Sequence, residues 1–157
     1  MTVTPLPAQE RVLIIGPSWV GDMVMAQSLF KVLKQGRPAI QLTVMAPAWS
    51  RALLDRMPEV DDSIESPFAH GELRILARYR FGRSLRNRFD TAIILPNSFK
   101  SALVPLFAGI PRRVGWHGEM RQSLLTDGRK LDEARYPLMV QRFVALGLKP
   151  QASVPDY

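Results

Sequence analysis

The chain has 157 residues, 46% of them hydrophobic and 22% charged, a length and balance that fit one globular domain with a real core and exclude disordered or fibrous classes. Cysteine is absent, which excludes disulfides, thiol catalysis and Cys-ligated zinc, and His70 and His117 are too few for most His-rich metal sites; no metal and no cofactor is expected. The net charge of +7, carried by many more arginines than lysines, points to a polyanionic partner: a phosphorylated or acidic substrate, an anionic membrane surface or nucleic acid.

In chain order, residues 1–10 form a lead with Pro5 and Pro7, and Arg11 to Gly16 follow as Arg-Val-Leu-Ile-Ile-Gly. So uniformly apolar a run predicts a parallel strand buried on both faces. Gly21 and Asp22 lead into a helix expected from Met23 to Gln35, with Val24, Leu29, Val32 and Leu33 on its apolar face and Gly36 as its stop. Ile40 to Met45 predicts a second strand. Pro47 opens a helix over Ala48 to Met57, and Val60 to Glu65 predicts a weak, acidic third strand. Gly71 to Phe89 has a helical pattern interrupted near Gly82, and Thr91 to Leu95 predicts a fourth strand. Ser98 is placed to cap a helix toward Gly109, kinked or shortened by Pro105. Arg112 to Trp116 predicts a fifth strand and Tyr136 to Leu146 a last helix, after which residues 149–157 have linker composition. No apolar run approaches the ~18 residues of a membrane span, and the N-terminus lacks a signal-peptide layout, so a soluble, unexported chain is expected.

Alternating strands and helices with short connections predict a Rossmann-like α/β domain, a parallel sheet with flanking helices that gathers ligands at the carboxyl ends of its strands. Those ends are Gly16, Ala46, Pro96 and Trp116. The turn Gly16-Pro17-Ser18-Trp19-Val20-Gly21-Asp22 has the Gly-x-x-x-x-Gly frame of a P-loop, but Asp22 and Met23 stand where Lys and Ser or Thr are needed. It also lacks the Gly-x-Gly-x-x-Gly of a dinucleotide site and an acidic residue after the second strand, where Met45-Ala46 lies. Neither nucleotide hydrolysis nor NAD binding is supported. Two roles stay open for Asp22: a cap at the start of a helix, or a general base facing a bound hydroxyl.

Four motifs carry a resemblance: Gly16-Pro17-Ser18-Trp19-Val20-Gly21-Asp22-Met23, Met45-Ala46-Pro47-Ala48-Trp49, Leu95-Pro96-Asn97-Ser98-Phe99-Lys100-Ser101-Ala102 and Gly115-Trp116-His117-Gly118-Glu119-Met120-Arg121. Together they resemble the heptosyltransferase II family of ADP-heptose:lipopolysaccharide glycosyltransferases, in glycosyltransferase family 9, over about Arg11 to Leu148. The resemblance implies a GT-B arrangement, with two Rossmann-like domains facing each other across a cleft. Residues 11–148 would be the N-terminal domain, which holds the heptosyl-Kdo2-lipid A inner-core acceptor of lipopolysaccharide. The C-terminal domain, which holds ADP-heptose, is expected to be absent here, with 149–157 as the start of the interdomain linker and the chain inactive alone. Transfer of L-glycero-D-manno-heptose inverts the anomeric centre without an essential metal, and Asp22 stands at the position of the proposed base. Ser18, Gly21, Asn97, Ser98, Lys100, Arg112, Arg113 and Arg121 are the expected acceptor contacts. The expected location is cytoplasmic, peripheral at the inner face of the bacterial inner membrane.

Blander readings stand beside these. Ser98 caps and Lys100 is solvated as readily as either binds an anion, and Trp116 with His117 reads as packing and surface, while His70 has no specific task. Arg74, Arg78, Arg80, Arg83, Arg86 and Arg88 read as a solvated face, or as a basic segment at the mouth of the cleft. The rival functions are a non-catalytic fold relative and a basic nucleic-acid-binding domain. The second ranks low, and no nucleic-acid partner is expected, because only Tyr79 and Phe81 interleave with those arginines.

Overall fold

The first strand, Arg11–Ile15 (β1), lies at the centre of a six-stranded sheet and is buried from Val12 onward, as its apolar run requires. The computed structural model describes residues 9–156, so most of the N-terminal lead, including Pro5 and Pro7, lies outside the described residues, as does Tyr157. Along the chain follow helix Val20–Gly36 (α1), strand Gln41–Ala46 (β2), the short helix Arg51–Leu54 (α2), strand Asp62–Glu65 (β3) and helix Ile75–Ser84 (α3). Next come strand Thr91–Ile94 (β4), helix Leu103–Phe107 (α4), strands Arg112–Trp116 (β5) and Asp127–Arg129 (β6), and helix Met139–Leu146 (α5). All pairings are parallel, in the order β3-β2-β1-β4-β5-β6. The chain builds outward from β1 on one side and then crosses to β4 on the other, so the connections after β1 and β4 diverge and leave a crevice at their carboxyl ends.

Side chains alternate between the two faces of the sheet. Val12 and Ile14 pack with Met23, Leu29, Phe30 and Phe143 beneath α1 and α5, whereas Leu13 and Ile15 pack with Ile94, Val104 and Leu85 beneath α3 and α4. Two cores, one per face, hold the sheet rigid under the crevice.

Several elements depart from the sequence expectation. Helix α1 begins at Val20 rather than Met23, which puts Gly21 and Asp22 inside its first turn, and it buries Met23, Ala26, Leu29, Phe30 and Leu33 while Val24 is 50% exposed. Val24 is offset from that three-and-four spacing, so apolarity alone misplaced it. The helix expected over Ala48 to Met57 is a 3-10 turn, Ala48–Ser50, followed by the single turn of α2. Helix α3 starts at Ile75 and runs through Gly82 without a break. A Cβ at Gly82 would stand 2.7 Å from Cβ of Phe107 and 3.0 Å from the Val104 carbonyl, so this glycine lets α3 and α4 touch. Pro105 falls in the first turn of α4, where its missing N–H has no helical acceptor to serve, and the expected helix is short, a 3-10 turn at Lys100–Ala102 followed by the five residues of α4. Helix α5 starts at Met139, leaving Tyr136 buried against Trp116 with ring centroids 5.9 Å apart.

Strand β6 was not anticipated. Asp-Gly-Arg carries no apolar signal, and side-chain pairing supports the strand: Arg129 donates to both oxygens of Asp127 (3.1 and 2.9 Å) and to the Ala145 carbonyl (2.7 Å), and Arg112 reaches Asp127 at 3.3 Å. Hydrogen bonds from Arg129 hold the Asp127 carboxyl below its ordinary range, against the opposing effect of burial. A carboxyl lowered in the folded state stabilises the fold above its unfolded pKa of ~3.9, and that contribution disappears as pH falls through the lowered value. Thermal melts should therefore show Asp127→Asn less stable than the unaltered chain at neutral pH, the gap closing below about pH 4. A gap constant with pH would separate the loss from ionisation of Asp127.

Candidate functional site

The crevice between β1 and β4 opens into a cleft of about 1000 Å³ at the carboxyl edge of the sheet. Its walls come from the turn after β1 (Gly16 to Val20, with Asp22), the segments after β2 and β3 (Pro47, Trp49, Phe68, His70), the loop after β4 (Pro96 to Ser98, Lys100 and Ser101), Glu119, and helix α5 (Met139 and Phe143).

Gly16 makes the first turn possible. Its N–H donates to the Met45 carbonyl at 2.8 Å, and a Cβ there would meet Met23 Cε at 2.8 Å and that same carbonyl at 3.1 Å. The chain then enters α1 with Trp19 as N-cap and no side chain capping the end; the first helical bond runs from Met23 N–H to the Trp19 carbonyl at 3.0 Å. The N–H groups of the first turn therefore point out of the helix without intrahelical acceptors, at the positive end of the helix dipole. Asp22 lies in this turn, half-buried, and lines the cleft. Among the described residues its carboxylate has neither a hydrogen-bond donor nor an ion-pair partner, so the capping role left open by the sequence is not used; only the dipole favours the charge. Ser18 lines the same wall, while Gly21 is exposed at the rim, outside the lining, and offers only backbone.

On the opposite wall Ser98 Oγ accepts from Ser101 N–H at 3.3 Å and Ser101 Oγ donates back to the Ser98 carbonyl at 2.6 Å, which closes the turn at the 3-10 helix Lys100–Ala102, whose N-cap is Phe99. Asn97 and Lys100 line the cleft here. Phe99 N–H donates to Glu119 Oε2 at 2.7 Å, drawing the loop after β5 against the loop after β4. Glu119 and its neighbour Met120 have φ of 46° and 60°, a left-handed pair without glycine. Such strain persists only where the surroundings hold it.

The three arginines expected at the acceptor require correction. Arg112 and Arg113 begin β5, at the amino end of the strand and so at the opposite edge of the sheet from the cleft. There Arg112 pairs with Asp127, and Arg113 donates to the Leu124 and Ile110 carbonyls, both at 2.8 Å. Arg121 lies next to the cleft but is 0% exposed. Its guanidinium donates twice to the Trp116 carbonyl (3.0 and 2.8 Å) and to the Pro96 carbonyl (2.7 Å), the Ser98 carbonyl (3.1 Å) and Ser101 Oγ (3.0 Å). Burial pushes it down to about 10, against the pull of Glu119, so it stays protonated at neutral pH. It braces the loop and, being fully buried, presents nothing to a ligand in the cleft.

Other residues enter the site unannounced. His70 lies 5.7 Å from the Trp19 ring, forming an aromatic wall with it. Arg78, expected within a solvated run, is 7% exposed: it stacks over Phe68 at 4.2 Å and donates to the Leu73 (2.5 Å), Glu72 (2.7 Å) and Lys100 (3.4 Å) carbonyls. Desolvation lowers its pKa, with Glu72 opposing. Its position three residues before Phe81 on the buried face of α3 was the signal available in the sequence. His117 is exposed outside the cleft lining, with its ring against Gly128, and Trp116 is buried, donating to the Arg142 carbonyl at 3.2 Å. Both fit the packing role expected for them. No group of metal-ligating side chains occurs among the described residues, and no helix there is long and apolar enough to cross a membrane.

Comparison with known proteins adds an independent line. Residues 78–154 match the family model for glycosyltransferase family 9 (heptosyltransferase). The chain is 59% identical over 137 residues to Lipopolysaccharide heptosyltransferase 2 of Salmonella typhimurium, covering 87% of this chain and 39% of the relative. It is 56% identical over 147 residues to Lipooligosaccharide heptosyltransferase 2 of Haemophilus ducreyi, covering 93% and 42%. The solved structure of E. coli ADP-heptose lps heptosyltransferase II superposes with a TM-score of 0.82 at 54% identity, over 90% of this chain and 41% of that one. The chain thus spans about two fifths of the length of the relatives it matches.

Proposed function

We propose that this chain, whose residues 78–154 match the glycosyltransferase family 9 model and which is 59% identical to a heptosyltransferase over 137 residues, is the acceptor-side half of an inverting heptosyltransferase in lipopolysaccharide core synthesis. In this reading residues 11–148 bind the inner-core acceptor, residues 149–157 lead toward a second domain, and that domain brings ADP-heptose to the cleft. The work is done in the cytoplasm, against the inner face of the inner membrane.

One observation carries the reading: the carboxylate of Asp22, without a hydrogen-bond or ion-pair partner among the described residues, faces a large cleft at the point where the sheet reverses its strand order. An acceptor hydroxyl within hydrogen-bond reach of that carboxylate passes its proton to Asp22 as its oxygen bonds to the anomeric carbon of the heptose. The bond from that carbon to the ADP oxygen breaks on the opposite face, and ADP leaves with the electron pair, which inverts the centre. Around this step Lys100 and the free N–H groups of α1 suit the carboxylates and phosphates of an inner-core saccharide, and Trp19, Trp49 and Phe68 suit sugar faces. Ser18, Gly21, Asn97 and Ser98 are proposed as polar and backbone contacts to that acceptor. Arg121 supports Ser98 from behind, and Arg112 and Arg113 take no part.

Titration calorimetry on this chain tests the division of labour. A deacylated, phosphorylated inner-core saccharide should bind, and ADP should bind weakly or not at all. Micromolar ADP affinity with no saccharide binding would overturn the assignment of this domain to the acceptor.

A further inference from the structure

Outside the cleft, the unusual surface is the exposed side of α3 and the segment leading into it. Leu73, Ile75, Leu76 and Tyr79 are 46%, 52%, 60% and 41% exposed, four large apolar side chains within seven residues. Ile75, Tyr79 and Arg83 follow one another at four-residue spacing, and Leu76 and Arg80 form a second row beside them; Arg78, Gly82 and Leu85 occupy the buried side. In each row apolar residues come first and an arginine follows one turn later. Arg83 lies 5.8 Å above the Tyr79 ring and donates to its hydroxyl at 3.4 Å, which lays the arginine stem along the apolar surface. Arg86 and Arg88 extend the positive field, while Arg74 pairs at 3.8 Å with Glu72, the sole acid between residues 71 and 89.

We propose that this face of α3 is a docking surface for an anionic lipid bilayer, with Leu73, Ile75 and Leu76 entering the headgroup boundary and Arg80 and Arg83 meeting lipid phosphates. Charge selects the occupant: a stretch with so many arginines and one acid is attracted to an anionic surface, repelled by a cationic one and indifferent to a neutral one. The aliphatic side chains then separate lipid from nucleic acid, because Leu and Ile gain from burial in acyl chains and offer no ring on which bases stack. The inference rests on the acceptor reading of the cleft for its purpose. Gly71 and Arg78 line that cleft, so the docking face and the cleft share one short segment, and a lipid-anchored acceptor could enter while its acyl chains stay in the bilayer.

Vesicle flotation tests it. The chain should float with vesicles of phosphatidylethanolamine and phosphatidylglycerol, stay behind with phosphatidylcholine alone, and be released by high salt. Ile75→Asp/Leu76→Asp should weaken partitioning by at least about tenfold through lost apolar burial. Arg80→Ala/Arg83→Ala should weaken it roughly 20–30-fold, about fivefold per arginine. All four side chains are exposed, so both variants should melt as the unaltered chain does. Unchanged flotation of the aspartate variant, or retention of a random oligonucleotide in preference to phosphatidylglycerol vesicles, would overturn the docking surface. Calorimetry with the deacylated saccharide reports on the cleft alone, so failure here with saccharide binding intact removes only the membrane contact.

Discussion

Asp22→Asn, made in the full-length polypeptide that the proposed function requires, is expected to lower heptosyl transfer by about 10²–10⁴-fold, the range of a positioned general base. The amide matches the carboxylate in shape and cannot take the acceptor's proton. The fold should tolerate the change, because Asp22 makes no side-chain hydrogen bond or ion pair among the described residues, and only its charge against the α1 dipole is lost, about 0.3–1 kcal/mol. Binding of the acceptor saccharide should survive, so the loss should appear in kcat with KM little altered. Near-normal turnover would leave Asp22 as a charge favoured by its helix and nothing more. A fall in melting temperature as large as that of a core substitution would equally contradict the geometry.

Arg121→Ala is expected to be the most destabilising polar substitution in the chain. The Trp116, Pro96 and Ser98 carbonyls and Ser101 Oγ all converge on one guanidinium that solvent does not reach. Truncation leaves several buried acceptors without donors, and a single unsatisfied group of this kind costs about 1–3 kcal/mol. A total near 3 kcal/mol or more is a large share of the ~5–15 kcal/mol that holds a domain of this size folded. Arg121→Lys should recover only part of it, since one ammonium cannot reproduce a planar fork that serves four acceptors at once. Urea unfolding reads this as a lower midpoint at constant slope. A loss below about 1 kcal/mol would mean that water replaces the guanidinium at these carbonyls, and that the loop after β4 does not depend on it.

The strands that build the cleft were legible because burial on both faces leaves an unmistakable pattern. Arg11–Ile15 and Thr91–Ile94 are apolar at nearly every position, and Arg112–Trp116 was placed to the residue. Strand β6 was not legible, since its partners are the charges of Arg112 and Arg129 on Asp127 and no local pattern marks them. Gly82 read as a break because glycine weakens an isolated helix, and what it serves, contact with Phe107, lies on another element. The arginines divide the same way. One residue type serves as a clamp at Arg121, as a stacked buried group at Arg78, as a partner of Asp127 at Arg112 and as open surface at Arg80.

Local chemistry was therefore enough for the α/β class, for the turn from Gly16 to Asp22 at the carboxyl end of the first strand and for the carboxylate within it, because each depends on neighbours in sequence: an apolar strand, a glycine, an acid at a helix start. Which charged groups face the cleft was decided by the tertiary structure alone. Whether a guanidinium meets a ligand or a backbone carbonyl depends on which end of its strand it occupies and what packs over it, and those are set by elements distant in the chain.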